Sequence, residues 1–446
     1  MNTILAAATV ALIFGQAIAL GANTAFLASC AALSSLVVGN FVFWSTCREA
    51  SPSFWKPLAV PLALYAAALG WGAAPLLLQA LGRWPGPRPV APDMAWLELS
   101  KLIALGAIFV TGALLGRSED RRRKLTTLII GASTLYLLLS FYLWRKDPLI
   151  LWGEPKGAHA YRFTATLLNA NAAACLIGAL VLIGVGRLVH STLSFRRMIW
   201  APEEALWPGL ALITVVLGIA GILVTASRVG LAGVVIGGLA LIILTPPRSS
   251  QSRLRRSLLP ALAIIGLGLV VILMVGGAPT FERAVGASDV DIRWQAWRMH
   301  AELLLRSPWF GYGLGSFRQL HQANLDFAHA LTLWDLGAVH QPLLQAAVEG
   351  GAPFALLIAA TIVAAAYPAA IAFGRDAPGK RWATSIALAA LLILVNSSVD
   401  IAMNVPAIAS LFALLLGVLA GWGSEATRQR VRDLGRSERA AGLRET

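Results

Sequence analysis

Charge is scarce in this sequence. Asp, Glu, Lys and Arg make up only 13% of its 446 residues, against 57% hydrophobic, whereas soluble domains carry about 25% charged residues. That shortage excludes an ordinary water-soluble domain and agrees with a mean hydropathy of +0.71. Cysteine is nearly missing. Cys30, Cys47 and Cys175 lie within or at the edge of apolar runs, so neither a disulfide nor a C-x-x-C redox or zinc site is expected. The six histidines, at 159, 190, 300, 321, 329 and 340, contain no H-x-x-x-H, and metal-ligand spacing is lacking. A basic n-region is lacking too, and Met1–Gly21 runs straight into a second apolar stretch. It reads as a first membrane helix, not a cleaved leader. Acidic residues are fewer than basic ones, leaving a net charge of +14. In a soluble protein that would point to nucleic acid. In a membrane protein basic cytoplasmic loops explain it, and no nucleic-acid partner is expected.

Long apolar runs are what the chain has instead. Runs near the roughly 20 residues that cross a bilayer occupy about 3–21, 24–44, 57–81, 99–116, 125–144, 164–186, 206–226, 229–245, 258–276, 352–373, 383–396 and 405–422. The expected fold is therefore an all-α integral membrane protein of about twelve transmembrane helices, with a large insertion between the ninth and tenth. It divides into 1–276 (helices one to nine), 277–351 (an outer segment with amphipathic helices), 352–422 (helices ten to twelve) and a basic tail, 423–446. With the N-terminus inside, 23 of the 36 Lys and Arg fall on the inner loops and the tail. Both termini are thus expected in the cytoplasm, with the six-arginine tail near anionic lipid.

Segment 277–351 is the largest hydrophilic region, so candidate chemistry concentrates there. Taken as a helix at 100° per residue, Asp291–Arg306 puts Asp291, Gln295, Arg298, Glu302 and Arg306 on one stripe, with i,i+4 ion pairs typical of a solvated face. Arg293 lies opposite, among Ala296, Trp297, His300 and Leu304. An arginine on an apolar face needs an anion, either a buried carboxylate such as Asp289 or a ligand. Arg228, in the turn Ala226-Ser227-Arg228-Val229-Gly230, either snorkels to headgroups or offers its planar fork to phosphate. Arg162, before Asn169-Ala170-Asn171, has the same two readings, anchor or anion binder. His340 opens His340-Gln341-Pro342-Leu343-Leu344-Gln345. It is either a structural hydrogen-bonder or a base, since imidazole titrates near neutral pH, and Glu349 or Asp400 could orient or replace it. The glycine run 311–315 has no following Lys-Ser or Lys-Thr, so a tight turn is its expected job and not a nucleotide loop.

These residues resemble the O-antigen ligases and their relatives, the O-antigen polymerases and bacterial O-oligosaccharyltransferases. The resemblance rests on Ser227-Arg228-Val229-Gly230, on Arg293 with its aromatic-rich helix, and on Pro308-Trp309-Phe310-Gly311-Tyr312-Gly313-Leu314-Gly315-Ser316-Phe317. It rests also on His340 to Leu344 with Glu349-Gly350-Gly351, and less specifically on Asn169-Ala170-Asn171 and Ser397 to Asp400. Ala170 departs from the proline often found between the two asparagines. The resemblance covers roughly the second half of the chain. It implies an inverting glycosyltransferase of the bacterial inner membrane that uses no metal or other cofactor. The donor would be an undecaprenyl-pyrophosphate-linked glycan and the acceptor a sugar hydroxyl of the lipid A core, met on the periplasmic side. Arg228 and Arg293, with Arg162, would hold the pyrophosphate, and His340 would be the catalytic base. A polymerase or oligosaccharyltransferase of the same superfamily is the nearest alternative. A secondary transporter or flippase is the alternative from another class; its charges would gather near the midplane, whereas here they gather at the outer face.

Overall fold

A computed structural model describes residues 1–84, 88–190, 202–245, 288–327, 330, 333–334 and 336–442. Hydrocarbon leaves no partner for an unpaired amide, so a spanning backbone must satisfy its own hydrogen bonds, and the described chain is overwhelmingly helical. We label its helices α1 (Asn2–Ile18), α2 (Ala25–Thr46), α3 (Ala59–Ala80), α4 (Pro92–Gly116), α5 (Glu119–Lys146), α6 (Ala170–His190), α7 (Pro202–Thr225) and α8 (Arg228–Leu244). After these come α9 (Ser288–Arg306), α10 (Phe317–Ala323), α11 (Pro342–Gly374), α12 (Lys380–Ser397) and α13 (Pro406–Gly442). Among the described residues the one sheet is a two-stranded ladder, Ile150–Leu151 with Glu154–Pro155.

Among the described residues eight helical segments are long and apolar enough to cross a membrane, and Asn2–Ile18 and Arg228–Leu244 are shorter apolar helices. The chain is a multi-pass helical membrane protein. The apolar run 258–276 and the start of the insertion lie outside the described residues. The run 164–186 begins as a helix only at Ala170. Ahead of it Ala165 and Leu168 take positive φ, and the Asn169 side chain accepts from Asn171 N and Ala172 N, both at 2.9 Å. That is an N-cap, which fixes where the helix starts.

Small residues set the closest packing. A Cβ on Gly417 or Gly421 of α13 would fall 2.1 Å from Phe109 O or 2.0 Å from Ala113 O of α4. This small-x-x-x-small contact brings two backbones together where lipid supplies no hydrophobic drive. The main core joins buried residues of α1, α5, α6, α7, α12 and α13. At one end of the bundle Arg117 and Arg121 share the Glu49 carboxylate, at 3.1 and 2.5 Å. The other end, where α6, α8 and α11 begin, carries the residues described next.

Candidate active site

The Ser227–Gly230 turn is built so that only its arginine faces outward. Ala226 takes φ +53°, and Ser227 Oγ accepts from Gly230 N at 3.4 Å, capping α8. A Cβ on Gly230 would sit 2.6 Å from the Ala174 Cβ, so glycine is needed for α8 to meet α6. Arg228 is then the exposed first residue of α8. A cation at a helix N-terminus opposes the dipole, whereas an anion there meets both the backbone N–H groups and the guanidinium.

On α9 the expected two faces are observed. Ala296 and His300 are fully buried and Leu303 nearly so, whereas Arg298 and Glu302 are exposed and pair at 3.5 Å. Arg293 is half-buried, and its Nη2 donates to Asp400 Oδ2 at 2.8 Å. Asp400, just before α13, is buried and accepts from Asn171 Nδ2 at 2.8 Å and from Ile401 N at 2.7 Å. The partner of Arg293 is therefore Asp400; the side chain of Asp289 lies outside the described residues. One nitrogen of a five-donor guanidinium holds the carboxylate, and the planar fork suits a phosphate as well.

Arg162 continues the same network. Its Nη2 donates to Asn171 Oδ1 at 3.3 Å and to Thr225 O at 2.7 Å, and its Nε donates to Thr225 O at 2.9 Å. Hydrogen bonds thus run from Arg293 through Asp400, Asn171 and Arg162 to a carbonyl three residues before Arg228. Arg162 braces the turn that presents Arg228.

His340 stands at the start of α11 with φ +62°, a backbone conformation a bulky residue keeps only when its surroundings enforce it. Its Nδ1 lies 2.9 Å from Ala338 O. A carbonyl can only accept, so in the neutral ring Nδ1 carries the proton and Nε2 is the basic nitrogen. Trp297 Nε1 donates to Val339 O at 2.9 Å, which ties the residue before His340 to α9 one turn from Arg293. Behind it, Gln345 Oε1 accepts from Val339 N at 3.4 Å and from Asn404 Nδ2 at 2.8 Å. Gln345 Nε2 in turn donates to Glu349 Oε1 at 3.1 Å. Glu349 is buried, and its other oxygen accepts from Gly315 N at 2.9 Å. The acid therefore clamps the glycine turn and does not reach out as a base.

The turn itself is a backbone clasp. Tyr312 N donates to Val348 O at 3.0 Å, Gly313 N to Glu349 O at 2.8 Å, and Ala352 N to Pro308 O at 2.7 Å. A Cβ on Gly311 would lie 2.4 Å from Val348 O, and one on Gly351 would lie 1.9 Å from Trp309 O. The glycines allow the turn to lock onto the kink of α11 at Gly351 (φ +82°).

A buried stack packs on the inner face of α9. His300 and His321 lie 5.3 Å apart at 20°, and Phe317 packs on both. Burial pushes the His300 imidazole down to about 4 and lowers His321 as well. Each ring spends one nitrogen on a backbone carbonyl, Ala296 O at 2.7 Å and Leu333 O at 2.8 Å.

Gln345, Trp297 and Thr225 were not singled out by sequence. For Gln345 a signal existed, since Gln341, Gln345 and Glu349 recur every four residues along one face. The N–H of Trp297 and the carbonyl of Thr225 have no such signature. Comparison with curated proteins gives no match. Residues 213–359 match the family model described as O-Antigen ligase, a span that holds Arg228, Arg293, the glycine turn and His340, with Arg162 and Asp400 on either side. Over that span, and in those motifs, the chain is similar to the O-antigen ligase family.

Proposed function

We propose that the protein is an O-antigen ligase of the bacterial inner membrane, with both termini cytoplasmic and the His340 end of the bundle at the periplasmic face. Its donor is a glycan on undecaprenyl pyrophosphate, and its acceptor is a sugar hydroxyl of the lipid A core. Arg228 and Arg293 hold the pyrophosphate, while Arg162 fixes the turn that carries Arg228. The acceptor oxygen attacks the anomeric carbon as the bond to the pyrophosphate oxygen breaks. The leaving group departs with the electron pair, and the hydroxyl proton passes to His340 Nε2. One displacement inverts the anomeric centre. Preorganised cations at the leaving oxygens stabilise charge where it develops, so the reaction needs no metal.

The observation that carries this reading is the tautomer set by Ala338 O, which makes Nε2 the basic nitrogen of a histidine braced one turn from Arg293. The orientation is supported by the excess of Lys and Arg on the loops assigned to the cytoplasm. The test is the lipopolysaccharide of a deletion strain. Complete loss of the O-antigen ladder with carrier-linked polymer retained is the expected result. A core bearing a single repeat unit would identify a polymerase, and an unchanged ladder would overturn the reading altogether.

A further inference from the structure

Next to Gln345 and Glu349 the bundle opens into a cleft of about 310 Å³ that Arg162, Arg228 and Arg293 do not line. Its walls come from α2, α3, α4, α11 and α13, with Gln16 from α1, and among the described residues none of α6 to α9 lines it. Along α4, α11 and the approach to α13 the charged and amide lining residues Glu98, Lys101, Gln345, Glu349 and Asn404 precede the apolar Phe109, Ile362 and Leu416, and the hydroxyls of Ser35, Tyr65, Thr361 and Ser410 line it as well. From Glu98 to Phe109 is about 16 Å along α4 at 1.5 Å per residue. This is the profile of a lipid, with a head at the site end and a chain running into the membrane.

Charge decides which lipid. Lys101 is held by Glu98 at 2.7 Å, so among the described residues the mouth of the cleft offers a pyrophosphate no uncompensated cation. The arginines that suit a pyrophosphate are on α8 and α9 and do not line the cleft. Hydroxyls, by contrast, match carboxylates and amides. Gln345 connects the mouth to the backbone of Val339, so a sugar held there is delivered beside His340. We propose that the cleft seats a hydrocarbon chain of the acceptor glycolipid, while the carrier-linked donor enters from the arginine side. The two lipids then reach one base by separate routes. This inference rests on the ligase reading given above.

Equilibrium binding to the purified full-length protein tests it without requiring turnover. Ala32→Phe on α2 and Ile358→Trp on α11 each place an aromatic ring in the cleft. Both variants should weaken binding of lipid A-core at least tenfold, leaving the Kd of undecaprenyl pyrophosphate and of de-acylated core oligosaccharide unchanged. Weakened carrier binding would overturn the proposal by making the cleft the donor's tail site. Unchanged lipid A-core binding in both variants would also overturn it, leaving the cleft to ordinary bilayer lipid. Cleft-dependent acceptor binding by a wild-type protein that transfers no glycan would sink the ligase reading alone.

Discussion

At the scale of single residues the account separates arginines that look alike in the sequence. Arg298 is exposed beside Glu302, and such pairs contribute a few tenths of a kcal/mol, so Arg298→Ala should transfer glycan at close to the wild-type rate. Arg293→Ala should lose transfer at least a hundredfold, and Arg293→Lys should recover little, because a point charge cannot both hold Asp400 and fork onto a phosphate. Arg228→Ala should weaken donor binding with the thermal midpoint unchanged, since its side chain is exposed. Arg162→Ala should lower that midpoint, because Thr225 O loses both of its guanidinium donors. Transfer assays and melting curves on the purified variants check all four. Equal damage from Arg298→Ala and Arg293→Ala would refute the division of α9 into two faces.

Elements explain how the site is held. Glu349 joins the glycine turn to Gln345, and removing it leaves the half-buried Gly315 N and Gln345 amide without their acceptor, at about 1 kcal/mol for each bond. Glu349→Ala should therefore melt several degrees lower and transfer slowly, with His340 untouched by the substitution. The stack over α9 predicts a pH dependence. His300 titrates near 4 in the folded chain, against an ordinary value of 6.5, so the unfolded state binds the proton more readily. That contribution to stability is complete above about pH 6.5 and is lost as pH falls toward 4. The thermal midpoint should drop between pH 7 and 5, and His300→Leu should flatten that drop; an equal slope in the variant would exclude His300 as its source. Helical periodicity made α9 legible, because a 100° rotation per residue needs no tertiary information. The glycine run was legible as a turn by its composition, but not as a clasp, since its backbone partners Val348, Glu349 and Ala352 lie on a helix far along the chain.

In the whole molecule the site is assembled from segments far apart in the chain, and that is where sequence reasoning reached its end. Apolar runs announce membrane helices, yet which ends meet is settled by packing, and the partner of Arg293 lies 107 residues away at Asp400. Asp400 and Asn171 were visible as polar residues at the ends of apolar runs, but nothing local showed that they bind each other. The orientation of the bundle predicts that a cysteine at exposed Asn324, with the native cysteines replaced, reacts with a membrane-impermeant thiol reagent in intact spheroplasts. Labelling only after lysis would reverse the assignment of faces. The central claim is that His340 takes the acceptor proton while the arginines hold the donor. Proton removal by a placed base is worth roughly 10²–10⁴ in rate. The direct measurement is turnover and donor affinity of purified His340→Gln, which keeps a hydrogen-bonding side chain but has no titratable nitrogen. The account predicts turnover reduced at least a hundredfold with donor Kd unchanged; wild-type turnover in that variant would contradict it.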